Sequence, residues 1–243
     1  MVALILVTSL QRYRLVLFVI FMVYWVTLAI APHYRRDWAL ENLLVFVLVP
    51  FLVLTRNKLP FSRLSYTLMF GFLFLHTLGA HYTYAHVPYD AWFETVIGRS
   101  LSELTGWQRN HYDRLVHFLY GFLWYYPIRE IFLRVADVRG FWGFFLPLDV
   151  TMSTSAMFEL IEWGAASLVG GDLAAAYLGM QGDTWDAHKD MALASLGALI
   201  SMIVTMLIMV RLRRDFAREW ADSFRVKHPK PLGEEAIKRL SKK

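Results

Sequence analysis

Cysteine is absent from the 243 residues, so no disulfide, thiolate nucleophile or thiolate metal site can contribute to fold or function. Several enzyme signatures are missing as well. There is no G-x-x-x-x-G-K loop and no strand–turn–helix glycine fingerprint, which removes the usual phosphate cradles. Neither H-E-x-x-H nor G-x-S-x-G occurs. No internal repeat of the kind common in transporters is visible. The opening stretch, MVALILVTSLQRYR, has its charges after a short apolar part and no small-residue cleavage site, so it reads as a lead-in to a span rather than a signal peptide.

What is present is apolar and aromatic: 57% of residues are hydrophobic and 16% are Phe, Trp or Tyr. Crossing a bilayer takes about 20 predominantly apolar residues, and such a segment must be helical, because an open strand would leave its backbone polar groups unpaired in lipid. Six segments qualify: Leu15–Ala31, Asn42–Thr55 with Pro50 inside, Leu64–Tyr84, Asp113–Phe132 interrupted by Pro127 and Arg129, Phe141–Val169, and Met191–Val210. The expected fold is therefore all-α, a polytopic transmembrane helical bundle. Residues 1–210 form its six-helix domain, loop 85–111 is a candidate lid, and 211–243 form a basic tail. The tryptophans at 25, 38, 92, 107, 142, 163 and 185 fit interfacial belts.

Charge sets the orientation. With the N-terminus inside, the inner loops hold Arg12, Arg14, Arg56, Lys58, Arg63, Arg129, Arg134 and Arg139, and the cluster Arg211, Arg213, Arg214 and Arg218 follows the last span. Positive-inside counting then puts both termini in the cytoplasm. A basic segment directly after an apolar helix lies against anionic lipid headgroups, so lipids rather than nucleic acid are the expected partners.

On that topology the unusual polar residues gather at one depth. Asp113 and His117 are four apart at the outer start of the fourth span, and Glu159 and Glu162 are three apart in the outer half of the fifth. Asp183, Asp186 and Asp190 open the sixth, as one acidic stripe if its helix begins early enough. Ionisable residues at membrane depth cost roughly 2.5–3.5 kcal/mol each on insertion scales, so they pair, face the interior or mark function. Asp113, His117, Glu159, Glu162, Asp186 and Asp190 are the candidate catalytic set. His76, His81, Arg114, Gln181, Asp183 and Lys189 are its rim. Mixed Asp, Glu and His suit a divalent metal, with Glu159, Glu162, Asp186, Asp190 and His117 as candidate ligands, and equally suit an acid/base pair. Asp149, deeper in the fifth span, reads as hydrogen-bonding glue between helices.

The stretches YDRLVHFLYG, FELIEW and GMQGDTWDAHKDMALASLGA resemble the YjdF-like bacterial inner-membrane proteins, a family of unknown function, over about residues 12–210. More distantly the chain is similar to the VanZ-like membrane proteins, which are linked to tolerance of glycopeptide antibiotics. That family's D-[KR]-x-x-H is met by Asp113, Arg114 and His117. Its E-x-x-Q is met by Glu159 with Glu162 in place of Gln. Its D-x-x-x-N-x-x-G-x-x-x-G is met by Asp186 and Gly197, with Asp190 and Leu193 as departures. Leu193 is expected to hold a neighbouring helix further off than Gly. The resemblance implies a location in the bacterial inner membrane and sharpens the residues more than the activity. Three readings stay open: an enzyme or binder of a lipid or lipid-linked envelope substrate, a secondary transporter or ion pathway, and a structural or assembly subunit.

Overall fold

The long apolar runs fold as helices. The computed structural model of the chain describes residues 2–171, 180–212, 215–227, 229 and 232–241, and all regular elements among them are α-helical. They are α1 (Val2–Leu28), α2 (Arg35–Glu41), α3 (Leu43–Thr55), α4 (Arg63–His81), α5 (Tyr89–Ile97), α6 (Leu101–Thr105), α7 (Tyr112–Arg134), α8 (Trp142–Val169), α9 (Asp186–Leu212), α10 (Phe216–Asp222) and α11 (Leu232–Leu240). The lead-in and the first span are one helix. Pro127 and Pro147 sit within α7 and α8 without ending them.

Among the described residues, four stretches are long and apolar enough to cross a membrane: Ser9–Leu28, Arg35–Thr55, Trp142–Leu168 and Asp186–Leu212. Helices α4 and α7, the expected third and fourth spans, fall short of that hydropathy because they carry the polar interior. On α4, Ser65, His76 and Thr77 are buried; on α7, His117 and Arg129 are. The four apolar stretches turn large side chains outward, among them Val19 and Val23 on α1, Val47 and Leu54 on α3, Leu160 and Ile161 on α8, and Leu207 and Ile208 on α9. Soluble monomers rarely expose so much apolar surface, and lipid tails are its natural cover.

The second apolar segment begins seven residues earlier than the hydropathy suggests, at Arg35, with only a one-residue junction at Asn42. Asn42 is fully buried; its amide donates to the Trp38 carbonyl at 2.7 Å and its oxygen accepts from Trp25 Nε1 at 2.6 Å. Trp25, half-buried, and Trp38, buried, are therefore packed against each other. Trp92, Trp107, Trp142, Trp163 and Trp185 are exposed, as a belt requires.

Helix α7 is central, packing on α4, α8 and α9. Its approach to α9 is set by small residues. A Cβ at Gly121 would lie 1.8 Å from the Ala194 carbonyl oxygen, and one at Gly197 would lie 2.1 Å from that of Phe118. With Ala194 and Ala198 fully buried between them, the two backbones touch, which is how membrane helices gain dispersion contact. Leu193 does not hold the pair apart.

The connections fall at two ends. At one, Arg63 donates to Ser9 Oγ, Arg14 to the Arg56 carbonyl, and Arg134 to the Pro60 carbonyl, while Glu130 accepts from Ser62 N and Ser65 Oγ at the start of α4. The tail also docks here. Phe216, Trp220 and Phe224 of the 215–224 segment pack on Phe141 and Phe144 at the start of α8, two of the ring contacts edge-on, and Ser223 receives the Phe141 N–H. At the other end lie α5, α6, the α1–α2 connection, residues 180–185 before α9, and Asp113, Asp183 and Asp186.

Candidate functional site

The site is built on α7. Asp113 and His117, one turn apart, point the same way, and His117 Nε2 lies 3.5 Å from Asp113 Oδ1. Helix α8 brings Glu159, whose Oε1 lies 3.5 Å from the same nitrogen. Across the glycine contact, α9 brings Asp190. One donor atom each from Asp113, His117 and Asp190 falls within 4.8 Å of the others. His117 and Asp190 are buried, and Glu159 is 9% exposed at its side chain. Asp190 Oδ1 and Glu159 Oε1 have no hydrogen-bond partner among the described residues.

Asp186 belongs to a separate ionic group. Arg109 Nη1 and Nη2 donate to its two oxygens at 2.6 and 3.1 Å, and Arg114 Nη2 reaches Oδ1 at 3.1 Å. Arg114 also holds Asp183 at 2.5 Å, as does Lys189 Nζ at 2.5 Å. Helix α9 starts at Asp186, so Asp183 sits in the turn before it rather than on the stripe, accepting the Trp185 N–H at 3.1 Å. Lys189, the Trp185 amide and Arg114 together hold the Asp183 carboxyl down at about 2. Gln181 locks the neighbouring turns, accepting from Asn110 N at 2.9 Å and donating to Asn110 O at 3.0 Å.

Beside the cluster is a cavity of about 300 Å³ between α3, α4, α7 and α8. Its apolar lining comes from Leu44, Leu48, Phe72, Val116, Trp124 and Phe158, and its polar lining from His76, Tyr84, Asp113, His117 and Glu162. His76 is held firmly. Its Nε2 donates to the Glu41 carbonyl at 3.0 Å, leaving Nδ1 to accept the Tyr84 hydroxyl at 2.5 Å. Tyr84 reaches it because the chain turns through positive φ at Thr83 and Tyr84 and because Gly79 leaves room: a Cβ there would stand 2.5 Å from the tyrosine ring. His81 lies elsewhere and donates to the Leu28 carbonyl at 2.7 Å.

The structure thus gathers Asp113, His117, Glu159 and Asp190 in one cluster, and Asp113 and His117 line the adjoining cavity together with Glu162 and His76. It puts Asp186, Arg114, Asp183 and Lys189 in the adjoining ion network, and His81 outside both. The expected ligand set differs from the grouped donors in three ways: Asp113 joins, Glu162 stands outside the donor group, and Asp186 is occupied by arginine. Asp149 is exposed on α8 rather than wedged between helices. Three residues were not foreseen. Arg109 lies in a loop and gives no local signal. Asp37 and Glu41 are buried on α2, with Asp37 lacking a hydrogen-bond partner on either oxygen among the described residues. Their signal is the four-residue step 37, 41, 45, 49, which continues the buried face of α3 backwards.

The family described as predicted membrane protein (DUF2238) matches residues 13–211. The inner membrane protein YjdF of Escherichia coli (strain K12) is 40% identical over 175 residues, covering 72% of this chain and 79% of the relative. No solved structure matches. A match over most of the chain, around a bundle whose apolar faces point outward, makes this an integral membrane protein of the DUF2238 family, similar to YjdF.

Proposed function

We propose that this protein takes up a lipid or lipid-linked envelope molecule at the outer leaflet of the bacterial inner membrane, as an enzyme or binder. The observation that carries the reading is a cavity whose lining is mostly apolar and yet holds several titratable side chains. Leu44, Leu48, Phe72 and Phe158 suit an acyl or isoprenoid chain, and His76, Asp113, His117 and Glu162 suit a polar head. Water-soluble substrates would waste the apolar lining and a purely structural role would not need the space.

In this reading the chain crosses the membrane six times with both termini in the cytoplasm. Helices α4 and α7 cross inside the sheath made by the four apolar stretches. The basic end, with Arg14, Arg56, Lys58 and Arg134, faces the cytoplasm, and residues 211–243 lie against anionic headgroups. Helices α5 and α6, neither with a buried residue, sit over the site end as a surface lid. A transport path fares worse, since Asp149, its candidate for the inner half, is exposed on α8.

Native mass spectrometry of the protein released from detergent tests the reading. A co-purified lipid adduct is expected, lost when Ser155→Phe fills the cavity and kept in the exposed-face variant Leu160→Phe. Protein that carries no lipid from any membrane extract, or carries it equally well after Ser155→Phe, overturns it.

A further inference from the structure

We infer that Asp113, His117 and Asp190, with Glu159 as a fourth donor, form a binding site for one divalent transition-metal ion at the wall of the cavity. The inference deepens the proposed function and rests on the cluster being a ligand site rather than a structural lock.

The distances point to an ion rather than to direct hydrogen bonds. His117 Nε2 stands 3.5 Å from both Asp113 Oδ1 and Glu159 Oε1. Charge-assisted hydrogen bonds run at roughly 2.7–2.9 Å, so neither contact is one. Two donors bound to one metal at about 2.0–2.1 Å with tetrahedral angles stand about 3.4 Å apart, which is the spacing observed. Asp190 lies within 4.8 Å of both Asp113 and His117, a distance a rotamer adjustment of one carboxylate can shorten.

A second, independent observation concerns unsatisfied oxygens. Asp190, 2% exposed, has Oδ1 without a hydrogen-bond partner among the described residues, and Glu159 Oε1 is in the same state. Buried carboxylate oxygens are almost always paired, so two left open beside one imidazole are oxygens that a cation would satisfy. The nearby arginines do not supply it, because Arg109 and Arg114 are engaged with Asp186 and Asp183. One imidazole nitrogen and three carboxylate oxygens suit Zn²⁺, Mn²⁺ or Fe²⁺ and disfavour the soft, thiolate-seeking ions. Asp113 and His117 also line the cavity, so an ion there presents an open position to a head-group phosphate or carbonyl.

The test uses full-length protein in detergent, stripped with EDTA and titrated with Zn²⁺ and separately with Mn²⁺ by calorimetry, with metal content read by mass spectrometry. One ion per chain is expected. His117→Gln and Asp190→Asn should each weaken it at least tenfold, and Glu162→Gln, outside the donor group, should leave it within about threefold. Substituted Co²⁺ should give a visible d–d band that Zn²⁺ displaces and His117→Gln abolishes. If either variant aggregates, Asp113→Asn or Glu159→Gln replaces it, since each removes one donor. No saturable binding near one equivalent, or binding unchanged by the substitutions, overturns the site. Lipid retention measured on the same stripped protein separates the two ideas: lipid without metal overturns this inference alone, and metal without lipid overturns the proposed function alone.

Discussion

Arg109 grips both carboxylate oxygens of Asp186, at 2.6 and 3.1 Å, across 77 residues of chain. The pair fastens the loop before α7 to the first turn of α9, with side-chain exposures of only 12% and 4%. Breaking a buried pair by removing one partner strands the other and costs roughly 3–5 kcal/mol. Arg109→Ala and Asp186→Ala should each lower the unfolding free energy in detergent by about 2–4 kcal/mol, less than for an isolated pair because Arg114 still reaches Asp186 at 3.1 Å and Asp183 lies 3.7 Å from Arg109. The double variant should lose less than the sum, since the second removal relieves the stranded charge. Additive losses would mean the pair contributes no mutual energy.

The glycine contact gives a sharper stability prediction. Gly121→Ala and Gly197→Ala each push a methyl into carbonyl oxygen, at 1.8 and 2.1 Å, so α7 and α9 must separate. A loss of about 1–3 kcal/mol is expected at each. Gly71→Ala on α4 is the control: nothing lies within 4 Å of its Cβ, and the gain in helix propensity makes it neutral or mildly stabilising. Equal melting behaviour of all three variants would deny the close packing.

Much of this site was legible because helical spacing is simple. Asp113 and His117 declare a shared face by standing four apart, and Asp190 and Gly197 stand seven apart on one face of α9, carboxylate above glycine. Other parts were not, for physical reasons. Asp37 and Glu41 precede the hydrophobic peak of their helix, so hydropathy starts the span after them. Arg109 acts through a loop whose path no periodicity reports. The docking of Phe216 and Trp220 on Phe141 and Phe144 is a contact between distant segments, and a basic tail reads as a headgroup-facing segment until its aromatics are seen edge-on against α8.

The Asp183 turn predicts an acid response. Its carboxyl is held at about 2 against an ordinary 3.8, chiefly by Lys189, then by the Trp185 amide and Arg114. A depressed folded-state value means the stabilisation is fully present above about pH 4 and is lost as pH falls through about 2. Thermal unfolding in detergent from pH 5 to 2 should therefore show wild type above Lys189→Met at the upper end, with the two converging at the lower. In Asp183→Asn the Lys189 substitution should have no effect at any pH in the range. A gap that widens on acidification would reverse the sign and refute the assignment.

The absence of cysteine makes orientation directly measurable, because any introduced thiol is the only one present. Glu94 on α5 is exposed at the acidic end, and Asn57 in the turn after α3 is exposed at the basic end. The basic end collects Arg14, Arg56, Lys58, Arg63 and Arg134, and positively charged short loops stay on the cytoplasmic side during insertion. A membrane-impermeant maleimide should then label Glu94→Cys in intact spheroplasts and reach Asn57→Cys only after permeabilisation. Labelling in the opposite order would turn the cavity's acidic lining toward the cytoplasm and exclude an outer-leaflet substrate, while leaving the metal ligands where they are. Labelling of both positions in intact spheroplasts would put the two ends on the same side and break the six-crossing topology.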